Sequence, residues 1–68
     1  MVDRLANRLK RDPKDEEGWM RLMRAKMVLG ETEAAREAYQ SGLAAFRQDS
    51  LAKARLDRAA RELGVPRN

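Results

Sequence analysis

Between Asp12 and Phe46 the chain reads DPKDEEGWMRLMRAKMVLGETEAAREAYQSGLAAF, and few folds accept that order of residues. Trp19 is followed by Leu22, an apolar run ends at Gly30, and Ala35, Tyr39 and Leu43 then fall at four-residue steps. The spacing predicts a helix, a glycine stop and a second helix with small and aromatic residues along one stripe. Asp15 is placed to cap the first of these, with Glu16 and Glu17 favoured in its first turn by the helix dipole. That helix is expected to run to about Leu29, with Trp19, Leu22, Met23, Lys26 and Leu29 broadly along one side. Gly30 supplies the left-handed residue that ends it.

The flanks continue the pattern. Val2, Leu5, Ala6 and Leu9 give one apolar face to a short helix over 2–10, and Asp12-Pro13 ends it because the residue before proline is driven from the helical region. Thr32 is the expected cap of the third helix, which runs to about Phe46 with Ala35, Ala38, Tyr39, Gly42, Leu43 and Phe46 inward. Gly42 is the odd member, since glycine inside a helix costs about 1 kcal/mol relative to alanine; a close helix–helix contact would justify it. Asp49 or Ser50 caps a fourth helix over 50–63, with Ala52, Leu56, Ala59, Ala60 and Leu63 inward, and Gly64-Val65-Pro66 stops it. The expected fold is all-α: one domain over residues 1–68, with helices at about 2–10, 15–29, 32–46 and 50–63. Short loops make neighbouring helices antiparallel hairpins.

The order Trp19, Leu22, Gly30, Ala35, Tyr39 resembles the tetratricopeptide repeat, whose period is about 34 residues. Pro13 agrees with it too, standing one period before Arg47, where the family usually has proline. On this reading 12–46 is the one complete repeat. Residues 2–10 take the place of the second helix of a preceding repeat, and 50–63 the first helix of a following one. The departures are Met23 for a small residue, Lys26 for tyrosine, Gly42 for alanine, Arg47 for proline and Lys53 for tryptophan. Lys26 makes the hairpin interface less apolar unless its stem packs and its ammonium reaches outward. Repeat arrays need about three units to bury a continuous core. Either the outer helices close this one as caps, or two chains share exposed ends as a homodimer.

The chemistry open to the chain is narrow. It has no His and no Cys, and its side-chain hydroxyls are Thr32, Ser41, Ser50 and Tyr39, none readable as a nucleophile beside a base. Catalysis, a metal centre and a cofactor are therefore not expected. With 68 residues and 4% aromatic side chains the core is modest, and the four Met read as core and groove packing. No stretch approaches the roughly 18 apolar residues of a membrane span, and no signal peptide is visible, so any anchor is expected to lie outside this chain. The net charge of +4 and the pI of about 10.1 suit an acidic partner. Residues 59–67 look like the opening of a helix-turn-helix, but no recognition helix follows, so nucleic-acid binding is not expected.

Binding is the remaining class. The face of the second helix away from the core carries Met20, Arg21, Arg24, Met27 and Val28, and the corresponding face of the fourth carries Leu51, Arg55 and Arg58. In tetratricopeptide proteins the first helix of each repeat lines a groove that holds a peptide. The resemblance implies a groove built from Met20, Arg21, Arg24, Met27, Arg55 and Arg58, suited to an amphipathic or acidic segment or a free carboxylate. The alternative is a solvated face whose arginines pair with acids such as Glu17 and Glu62, each exposed pair contributing roughly 0–1 kcal/mol. A generic scaffold or self-association module is the competing function.

Several blocks narrow the resemblance: Arg8-Leu9, Asp12-Pro13, Asp15, Glu17-Gly18-Trp19, Val28-Leu29-Gly30 and Glu62-Leu63-Gly64. They are similar to the periplasmic repeat region of the c-type cytochrome biogenesis family often called CcmI or CycH. This resemblance implies a non-enzymatic chaperone on the periplasmic face of the bacterial inner membrane, anchored by a segment not in this chain. Its implied partners are apocytochrome c, bound largely through its C-terminal helix, and the haem-ligation machinery.

Overall fold

In a computed structural model the chain forms four helices in sequence order, α1 (Val2–Arg11), α2 (Glu16–Val28), α3 (Thr32–Ala45) and α4 (Ser50–Leu63), with no strand among the described residues. Those residues are 2–12 and 14–66; within α1 the side chains of Val2, Asp3, Leu5, Ala6 and Lys10 lie outside them. The inward placement expected of Val2, Leu5 and Ala6, and the helix-ending role of Pro13, therefore fall outside the described residues. α2 is the hub: it packs against α1, α3 and α4, whereas among the described residues α1 meets only α2. Two successive reversals make α2 and α4 run parallel, side by side, with α3 behind them.

Each reversal has a local cause. Asp15 Oδ1 accepts a hydrogen bond from the Gly18 N–H at 3.0 Å, which satisfies one of the free donors of the first turn of α2. Its Oδ2 meets Arg8 Nη2 at 2.9 Å, so the same carboxylate ties α1 to the cap. Asp49, rather than Ser50, caps α4, its Oδ1 accepting from the Ala52 N–H at 3.1 Å. α2 and α4 both end on a left-handed glycine, Gly30 at φ 77° and Gly64 at φ 78°. In each, two back-bonds close the last turn: Glu31 N–H to the Lys26 carbonyl and Gly30 N–H to that of Met27, then Val65 N–H to Ala60 and Gly64 N–H to Arg61. The apolar residue after the second glycine, Val65, folds back into the core.

Two expectations are corrected here. Thr32 does not cap α3; it is already the first helical residue, and Glu31 holds the cap position without a side-chain bond to the helix. The Glu31 carboxylate is instead engaged by Lys26 Nζ at 3.3 Å, because the glycine stop of α2 brings the two residues together. Leu29 does not turn inward: at the end of α2 its N–H still bonds the Ala25 carbonyl, but its side chain is 57% exposed.

The core is continuous. Leu9, Met23, Ala35, Ala52, Leu56 and Ala60 are sealed from solvent, with Trp19, Leu22, Ala38, Tyr39, Phe46 and Val65 nearly so. Leu43, Ala59 and Leu63 are half-buried against it. Gly42 sits where α3 approaches both neighbours: a Cβ there would stand 3.2 Å from Leu56 Cδ1 and 3.2 Å from Trp19 Cγ. Lys26 keeps its stem against the hairpin and sends its ammonium to Glu31, which is how a cation is accommodated at an interface position. Across α3 and α4, the Tyr39 hydroxyl donates to Asp57 Oδ1 at 2.9 Å, and Asp57 Oδ2 meets Arg61 Nε at 3.0 Å.

Candidate peptide-binding groove

Because α2 and α4 lie parallel, residues on their outer faces meet in register. Glu16 stands opposite Arg55, Met20 opposite Ala59, and Met27 opposite Gly64. Between the helices runs a groove made of two adjoining depressions of about 330 and 350 Å³ that share Met20, Ala59 and Glu62. The first adds Glu17, Arg21 and Arg24 on the α2 rim and Leu63 on the floor; the second adds Arg55 and Arg58 on the α4 rim. A larger depression of about 460 Å³ lies elsewhere, between Lys14 and the α3–α4 turn. Charged and polar side chains, Lys14, Arg47, Gln48 and Asp49, line most of it, away from the paired faces of α2 and α4.

Five of the six expected groove residues, Met20, Arg21, Arg24, Arg55 and Arg58, line the groove. Met27 lines neither depression; it is half-buried one turn further on, its Cε 4.0 Å from the Cβ position at Gly64. Val28 and Leu51, read on the same faces, are 82% and 70% exposed. The floor residues Ala59 and Leu63 were assignable in sequence only to the core stripe of α4. Their half-burial shows that one edge of that stripe faces the groove, as the steps from Arg55 to Ala59 and Leu63 would place them.

The arginines are not equivalent. Arg55 spans the groove end, Nε and Nη2 donating to the two carboxylate oxygens of Glu16. That hydrogen bond, and then the charge of Glu16, raises the Arg55 guanidinium above its ordinary value. Sequence reading placed Glu16 only as a first-turn acid; a partner on another helix leaves no local signal. Arg21 pairs with Glu17 at 2.9 Å and Arg58 with Glu62 at 3.3 Å, each one turn away on its own helix. Arg24 has no ion pair among the described residues. Among the described residues, then, three rim cations are matched by acids and the fourth is not.

A parallel pair of first helices flanking a small-residue second helix, with an apolar-floored groove on the outer face, defines the architecture of a helical-hairpin repeat module. The model of the tetratricopeptide repeat family matches residues 2–59, and the chain belongs to that family. Among curated proteins it is 48% identical over 65 residues to the cytochrome c-type biogenesis protein CycH of Rhizobium meliloti. It is 38% identical over 65 residues to the protein of the same description from Bradyrhizobium diazoefficiens. Both alignments cover 96% of this chain but only 17% and 18% of the relatives' own length. No solved structure matches it. Among the described residues no helix is long and apolar enough to cross a membrane.

Proposed function

We propose that this chain is a non-catalytic protein-binding module that holds a segment of apocytochrome c during cytochrome c maturation, using the groove between α2 and α4. The observation that carries the reading is the groove itself: Met20, Ala59 and Leu63 form an apolar floor between rims bearing Arg21, Arg24, Arg55 and Arg58. An amphipathic helix laid in such a groove buries its apolar face on the floor and keeps its polar flanks at charged rims. The partner class is supported by the two relatives, whose descriptions place them in cytochrome c-type biogenesis. In this reading the module works at the periplasmic face of the inner membrane and passes the apoprotein to the haem-ligation machinery.

The test is titration of the chain with a peptide of an apocytochrome c C-terminal helix, followed by calorimetry. Saturable binding that weakens on Arg24→Glu is the expected result; no binding, or binding indifferent to that change, removes the groove assignment. A second reading, self-association, is favoured by the exposure of Val28, Leu29 and Leu51. It predicts a concentration-dependent sedimentation coefficient, and a strict monomer rejects it.

A further inference from the structure

Resting on that groove, we propose that Arg24 is its specificity-determining residue: it selects an amphipathic helical partner carrying one acidic side chain in register with Arg24, and the other rim arginines do not read acids. The argument is electrostatic. A carboxylate arriving at Arg21 or Arg58 meets a guanidinium already held by Glu17 at 2.9 Å or Glu62 at 3.3 Å. It must displace that acid or sit beside it, and two carboxylates sharing one guanidinium repel. At Arg55 both oxygens of Glu16 occupy the fork. At Arg24 no pair among the described residues has to be broken, and the planar guanidinium is available for a bidentate contact.

Position adds direction to the charge. Arg24 lines the end of the groove nearest Leu63, whereas Glu17 and Arg55 lie toward its other end. An acid on the partner is thus drawn to the Arg24 end, because toward the other end Arg21 and Arg55 are already held by Glu17 and Glu16, and this fixes how the partner helix runs. The floor supplies area and tolerates many apolar sequences, with Met20 adapting to what it meets; Arg24 supplies the register.

The experiment uses the full chain and a set of Leu-based amphipathic helical peptides of about four turns. Each carries a single Glu, stepped along the polar flank, and each has a Gln twin. The expected result is one register in which the Glu peptide binds about three- to tenfold tighter than its Gln twin. Arg24→Gln abolishes that difference, whereas Arg21→Gln and Arg58→Gln preserve it. Equal affinity of every Glu peptide and its twin, or a preference that survives Arg24→Gln, overturns the inference and leaves the groove reading standing. Failure of all peptides to bind overturns both. Arg24 is exposed, so the variant is expected to keep the wild-type circular dichroism and melting point.

Discussion

At Gly42 α3 packs against Trp19 of α2 and Leu56 of α4, and its missing side chain is what allows the approach. Against glycine's helix cost of about 1 kcal/mol stands the room it leaves for Trp19 and Leu56. A branched side chain has no such room on either flank. Gly42→Val is expected to lose about 1–3 kcal/mol, read from urea midpoints, through overpacking; an unchanged midpoint would mean that Trp19 yields freely. Tyr39 makes the complementary point. Its ring is core, and its hydroxyl is the polar tie between α3 and α4 through Asp57. Tyr39→Phe keeps the packing and removes that bond, with an expected loss of about 1–2 kcal/mol, since the acceptor is charged but still has Arg61. The aromatic stripe was legible in sequence because it follows helical spacing. The Tyr39–Asp57 tie was not, because nothing in helical periodicity pairs residues on different helices.

At the scale of elements, α1 shows how a marginal helix is secured. Leu9 is sealed against α2, and a Cβ on Gly18 would stand 2.8 Å from Leu9 Cδ2 and 2.6 Å from Asp15 Oδ2. Glycine at that point lets the cap and the docking of α1 coincide. Gly18→Ala is therefore expected to free α1 before the rest unfolds, seen as faster amide exchange over 4–11 with α2–α4 still protected; uniform exchange would contradict it. The helix order and the stops at Gly30 and Gly64 were readable, because left-handed glycines and capping aspartates act within a few residues. The cap of α3 was misread because Glu31 and Lys26 meet only once α2 has closed. α4 is joined to α2 by the Arg55–Glu16 pair. Its raised guanidinium contributes fully below the unfolded value and is lost only as pH climbs through the higher folded one. The melting difference between wild type and Arg55→Gln should thus stay constant from pH 7 to about 10 and shrink in about 1 M salt. A difference that grows with salt would argue against an ionic origin.

For the whole molecule, the arrangement of α2 and α4 matters more than the sum of its charges. A net charge of +4 suggests a general attraction for acidic partners. The fold instead cancels most of the rim: Glu16, Glu17 and Glu62 each hold an arginine, and among the described residues Arg24 alone is left without an acid, at one end of an apolar floor. The expected groove residues emerged from the outer face of each first helix, a property of single helices. Which of them are neutralised depends on how the helices pair, and that is why the sequence treated four arginines alike. The most direct test of the groove is amide chemical-shift mapping of the labelled chain during titration with a peptide of an apocytochrome c C-terminal helix. Saturable shifts concentrated at Met20, Arg24, Ala59 and Leu63, weakened in Arg24→Glu, are the predicted result. Shifts confined to the exposed face of α3, or none at concentrations up to the millimolar range, would contradict it.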